Sequence, residues 1–143
     1  MLSSILFFCM SALYAYSPSR PKIDGIWYYF NTTKRTAEVS WPGNTYQPDF
    51  YKGDIVVPSK VTYQGVEYTV TEFSPTQSFF GQTELTSVTI PPTVTSIGSF
   101  AGCDKLTKMV IPNTVTQIGD FNGCPLLKEI VLPENLKRLT SSF

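Results

Sequence analysis

Leu85-Thr-Ser-Val-Thr-Ile-Pro-Pro-Thr-Val-Thr-Ser-Ile-Gly-Ser-Phe-Ala-Gly-Cys103 is followed by Leu106-Thr-Lys-Met-Val-Ile-Pro-Asn-Thr-Val-Thr-Gln-Ile-Gly-Asp-Phe-Asn-Gly-Cys124, a near copy at a period of 21 residues. A third copy opens as Leu127-Lys-Glu-Ile-Val-Leu-Pro-Glu-Asn-Leu-Lys-Arg-Leu139. Leu85, Leu106 and Leu127 are equivalent, as are Ile90, Ile111 and Leu132, and Pro91, Pro112 and Pro133. Self-similarity at a fixed period of this length is the mark of coils that stack, because no single coil can bury its apolar side alone.

Each copy begins L-x-x-[VMI]-x-[IL]. Side chains alternate along a strand, so the apolar positions point inward and the others outward. Proline then removes a backbone donor and ends the strand. The V-x-x-I-G that follows adds two core residues, and Gly98 and Gly119 are expected to turn the chain at positive φ. Phe100 and Phe121 return it to the core. A looser copy lies upstream, where Ile55-Val-Val-Pro-Ser-Lys-Val61 matches the strand and its proline, and Phe79-Phe-Gly81 stands at the Phe-x-Gly position. Between them, Gln64-Gly65 reads as a hairpin tip. Ile26-Trp-Tyr-Tyr-Phe30, a turn over Asn31 to Thr36, and Ala37-Glu-Val-Ser-Trp41 read as a β-hairpin covering the first coil. The expected fold is therefore mainly β, a leucine-rich-repeat solenoid of about four coils with an N-terminal β-hairpin cap. Residues 18–52 form the cap and 53–143 the solenoid, with clear repeats at 85–105, 106–126 and 127–143.

These motifs resemble the BspA-like leucine-rich-repeat family. The most specific element is L-T-x-V-x-I-P-x-x-V-T-x-I-G…F-x-G-C, and the D-G-I-W-Y-Y, G-D-I-V-V-P and Y-x-G-V-x-Y-x-V-T segments look like the family's N-terminal entry. The stretch after the glycine, I-G-S-F-A-G-C and I-G-D-F-N-G-C, is shorter than the family's usual I-G-x-x-A-F-x-G-C. The resemblance implies a secreted or surface-displayed protein associated with adhesion to host proteins or to other cells.

The N-terminus agrees with export. Leu2 to Tyr16 carries no charge and is dominated by large apolar residues, too short a run to span a bilayer comfortably. Small residues at Ala12, Ala15 and Ser17 follow the pattern of a cleavage site, so residues 1–17 read as a signal peptide. The mature chain then has no membrane span. Eleven basic and eleven acidic side chains cancel, which leaves no positive field to gather phosphates and argues against nucleic acid. Histidine is absent, which removes imidazole bases, Ser-His-Asp triads and His-containing zinc sites. No cofactor or metal site is expected. The carboxylates Asp24, Glu38, Asp49, Asp54, Glu67, Glu72 and Glu84 scatter without a pairing motif, so the chain is read as no enzyme.

The expected binding surface is the outward row of the repeats: Thr86, Ser87 and Thr89, then Thr107, Lys108 and Val110, then Lys128, Glu129 and Val131. Its partner would be a host or cell-surface protein or glycan. Trp27, Tyr28, Tyr29, Trp41, Tyr46, Phe50 and Tyr51 crowd the N-terminal part, where they either fill the cap's core or recognise a glycan or protein. Cys103 and Cys124 lie one coil apart, close enough for a disulfide, although a ladder of buried reduced thiols is the simpler reading. Asn31-Thr-Thr33 fits an N-glycosylation acceptor on a turn. The alternative to a binding module is a structural, self-associating protein joined through the C-terminal coil.

Overall fold

The computed structural model describes residues 20–41, 51–75 and 78–139. The expected signal peptide, Tyr46, Phe50 and the last four residues lie outside these. The described residues form a mainly β chain with no helix among them.

Asp24 and Gly25 both take positive φ, 48° and 85°, as a two-residue hairpin turn requires. They fold β1 (Lys22–Ile23) back onto β2 (Ile26–Asn31), a strand beyond those the sequence suggested. β2 then pairs antiparallel with β3 (Thr36–Val39), placing Tyr28 opposite Val39 and Phe30 opposite Ala37. This is the hairpin read from the sequence. β4 (Gly53–Val56) precedes a second hairpin, β5 (Lys60–Tyr63) with β6 (Val66–Phe73), whose tip is Gln64-Gly65 at φ 51° and 76°.

After β6 the repeats take over. β7 (Leu85–Thr89), β9 (Lys108–Val110) and β11 (Glu129–Val131) are their first strands; β8 (Ser96–Ile97), β10 (Gln117–Ile118) and β12 (Arg138–Leu139) are their second. Two parallel walls result. On one, β4 pairs with β7 and β9 with β11, and the Thr107 N–H donates to the Thr86 carbonyl at 3.3 Å to join β7 to β9. On the other, β6, β8, β10 and β12 run side by side, and β3 extends this sheet through its parallel pairing with β6. The corners are built by the prolines. The amides of Val94, Val115 and Leu136 each donate to the carbonyl three residues back, on Pro91, Pro112 and Pro133. Each repeat thus satisfies its own corner while its strands pair with those of the next repeat.

Between the walls lies one apolar core. Leu85, Leu106, Val94, Val115 and Phe100 are fully buried, and Ile97 and Ile118 nearly so. Phe79, Phe100 and Phe121 form a column of stacked rings, with centroids 4.9 and 5.3 Å apart and planes within 5° of parallel. Phe79 thus occupies the place its Phe-x-Gly match assigned to it. Cys103 and Cys124 are free thiols, each donating from Sγ to a carbonyl of the preceding coil, Phe79 at 3.1 Å and Phe100 at 3.2 Å. A hydrogen bond with Cys124 and burial both hold the Cys103 thiol above its ordinary range, so it stays protonated.

One expectation is corrected. Gly98 and Gly119 are not at positive φ; that conformation falls on Gly81, Gly102 and Gly123, at 69°, 73° and 71°. Gly98 and Gly119 are glycine because neighbouring backbones leave no room for a side chain. A Cβ on Gly119 would stand 2.5 Å from the Gly98 carbonyl carbon.

The packing makes a direct contrast. Ile111 is 3% exposed, whereas Lys108 is more than half exposed and holds Glu129 in a surface ion pair at 3.2 Å. Ile111→Ala is expected to cost about 2–5 kcal/mol and Lys108→Ala less than about 1 kcal/mol. Urea unfolding of both variants checks this. Equal small effects would contradict the register.

Candidate functional site

The outer surface of the β4–β7–β9–β11 wall carries two rows set by the strand registers. Asp54 lies opposite Ser87, and Lys108 opposite Glu129; two residues further along each strand, Val56 lies opposite Thr89, and Val110 opposite Val131. Between the rows, Ile55, Val88, Met109 and Ile130 turn toward the core. The wall is therefore amphipathic across its width: one polar row beside a row of three valines and Thr89.

All nine residues expected on this surface are exposed or half-buried, and they fall on one wall. Two more belong with them. Asp54 and Val56 extend both rows by one strand, Val56 being the most exposed at 68%. Aligning Val56-Val-Pro58 with Thr89-Ile-Pro91 would have found them. Thr86 and Ser87 both donate to Asp54 Oδ1, at 2.7 and 2.6 Å, and these bonds hold the Asp54 carboxyl below its ordinary range. A groove of about 400 Å³ runs over Ser87, Thr89, Lys108 and Val110 to Ile90 and Pro112. Val110 and Val131 are 53% and 46% exposed, so the apolar row meets solvent along its length.

The N-terminal aromatics divide between core and surface. Tyr28 and Tyr51 are buried, and burial raises both phenols, Tyr28 to about 12. The Tyr51 hydroxyl donates to the Ser40 carbonyl at 2.8 Å and accepts the Trp27 N–H at 3.1 Å, tying β2 and β3 together. Tyr29, by contrast, is 41% exposed on the outer face of the second wall. The carboxylates do not all scatter: Glu38 on β3 lies directly beside Glu72 on β6. Burial raises the Glu38 carboxyl, and the neighbouring Glu72 adds to the shift against a hydrogen bond from Ser74 and the field of Arg20. Among the described residues, no group of three or more His, Cys, Asp or Glu side chains is placed to hold a metal ion.

Residues 66–143, more than half of the chain, match the model of a family described as BspA type leucine rich repeat region (6 copies). The chain belongs to this family. Among solved structures, it is similar to a leucine-rich repeat protein from Bacteroides ovatus ATCC 8483, at 37% identity and a TM-score of 0.68 over 82% of this chain and 30% of that one. It is also similar to a leucine rich cell surface protein from Faecalibacterium prausnitzii A2-165, at 27% identity and a TM-score of 0.65 over 87% of this chain and 33% of that one. The chain thus spans about a third of each of these leucine-rich-repeat proteins. None of the curated protein sequences matches it.

Proposed function

We propose that this chain is an exported leucine-rich-repeat solenoid of about four coils, closed at its N-terminal end by the β2–β3 hairpin. It acts without catalysis by binding a protein on the β4–β7–β9–β11 wall. The observation that carries this reading is the pair of rows on that wall. Val56, Val110 and Val131 stand exposed in one row that only Thr89 interrupts; grouped exposed apolar residues mark interaction surfaces, and a polar row beside them supplies register and orientation. A single ring or ion would not need a row of valines and a threonine that runs across four strands. Export rests on the apolar N-terminal segment and on likeness to a bacterial protein described as cell-surface.

The test is capture from host-matrix and cell-envelope extracts, with each recovered protein then titrated against purified chain. Val110→Asp places a charge in the middle of the apolar row and is expected to weaken binding at least about tenfold. Lys60→Ala, on the β5–β6 hairpin, should leave it unchanged. A partner held equally by wild type and Val110→Asp would show that another surface is used.

A second reading, self-association, draws on the last coil. Among the described residues β11 and β12 are each paired on one side only, and Leu132 and Leu139 are exposed there. Sedimentation separates the two, since self-association requires growth with concentration while a binding module remains monomeric.

A further inference from the structure

The second wall carries a concave site that the repeat pattern does not predict. Thr36 lies opposite Thr69 and Ala37 opposite Val70, but Glu38 lies opposite Glu72, so the β3–β6 pairing skips Thr71. Such a bulge bends the strand locally and re-aims the side chains beside it. At this bend a cavity of about 220 Å³ opens, lined by Tyr29, Asn31, Lys34, Glu38, Thr71 and Glu72, among others. It lies on the face opposite the wall proposed above to bind protein.

The lining is unusual for ordinary solvated sheet. Registered like charges on adjacent strands are unfavourable unless something is placed between them or hydrogen-bonds to them. Glu38 keeps a hydrogen bond from Ser74; no ion pair among the described residues engages either Glu38 or Glu72. Asn31 accepts the Lys34 N–H through Oδ1 at 2.9 Å, which leaves its amide hydrogens for another acceptor. Tyr29 stands in the same cross-strand row, opposite Glu38, with its ring open to solvent. One side of the cavity thus offers an aromatic face, and the rest offers carboxylate acceptors, an amide, an ammonium and a hydroxyl.

We propose that this cavity is a saccharide site that seats one pyranose ring, with Tyr29 against its C–H face and Glu38 and Glu72 accepting its hydroxyls. A sugar ring pairs an apolar face with a rim of hydroxyls that both donate and accept, which is the complement of this lining. The size limits the ligand. Pockets that bury drug-sized molecules run from about 300 to 1,000 Å³, so this cavity takes one ring and lets any further sugars extend into solvent. Charge selects a neutral ligand over a cationic one. Lys34 already lines the cavity, so a lysine or arginine side chain from a partner would meet a like charge beside the two carboxylates. The carboxylates sit side by side on one sheet face rather than across a cleft, an arrangement for holding hydroxyls and not for splitting a glycosidic bond.

The test is saturation-transfer NMR and titration of the full chain with the methyl glycosides of glucose, galactose, mannose and N-acetylglucosamine, beside N-acetyl-lysine amide as a cationic probe. At least one glycoside should bind with a dissociation constant on the order of millimolar, as suits a ligand of so few atoms. Tyr29→Ala and Glu72→Gln should each weaken it about tenfold or more. Tyr29→Phe, which keeps the ring, should retain it, and Val110→Asp on the other wall should leave it unchanged. Melting curves establish that each variant is folded, and Glu72→Gln carries the test if Tyr29→Ala is not. Binding of no glycoside, of the lysine probe alone, or of a glycoside indifferent to both Tyr29→Ala and Glu72→Gln overturns the proposal.

Discussion

Replacing Gly98 by alanine is expected to destabilise this protein more than any other single added methyl group, by roughly 3 kcal/mol or more. The new Cβ would run into the backbone carbonyl of Ser74 and press on Pro75 in the preceding turn of chain. A side chain in the way could rotate aside. A backbone carbonyl held between hydrogen-bonded repeats cannot, so the repeats must separate, and the bond from the Thr95 N–H to the Thr71 carbonyl at 2.9 Å is strained with them. Gly119→Ala repeats the collision one coil later, against Gly98 and Ser99. Gly65→Ala is the control. Its φ of 76° costs an L-residue about 1–2 kcal/mol, yet nothing lies within 4 Å of the added methyl. Urea titration of the three variants should therefore rank Gly98 and Gly119 well above Gly65. If Gly65→Ala is the most damaging, backbone conformation rather than coil spacing governs these glycines.

That distinction also marks where the sequence stops being legible. A glycine required by positive φ and a glycine required by close approach are written with the same letter, so I-G at 97–98 suggested a turn that the structure places at Gly102. What could be read was whatever the repeat wrote several times. The equivalence of Leu85 with Leu106, of Val94 with Val115 and of Phe100 with Phe121 assigns each of them to the core, where they are buried. The hairpin tip at Gln64-Gly65 was legible for a local reason, since few residue pairs tolerate positive φ twice in succession. Asp54 and Val56 were harder. Their strand is a loose copy whose pairing with β7 shifts register after Gly53, so counting from the glycine puts Asp54 beside Thr86 instead of Ser87. Glu38 and Glu72 could not be paired at all. They belong to segments that share no repeat, and a parallel pairing with a bulge leaves no trace in spacing. The surface most like a repeat was thus visible from sequence, and the cavity beside Tyr29 was not.

The Phe79–Phe100–Phe121 column provides the other large effect, and its size should depend on position in the stack. Phe100 is fully buried with a parallel ring on each side, at 4.9 and 5.3 Å. Phe100→Ala removes both contacts and opens a cavity that the fixed coil spacing cannot close, at an expected cost of about 3–5 kcal/mol. In a chain of this length that lowers the melting temperature by roughly 10–20 °C. Phe121 has the same sequence context and stacks on Phe100, but an open pocket with Cys124, Pro125 and Leu127 lies beside it. Water or small side-chain shifts can fill part of the space left there, so Phe121→Ala should cost about half as much. Stability in a repeat array is a sum of repeat and neighbour contributions, and losing the Phe100 ring removes two stacked neighbour contacts at once. Phe100→Leu keeps most of the volume without the ring and should fall between wild type and Phe100→Ala, which separates filling from stacking. Thermal and urea unfolding of the three variants decide the matter. Equal losses for Phe100→Ala and Phe121→Ala would mean that the open pocket beside Phe121 does nothing to relieve the lost ring.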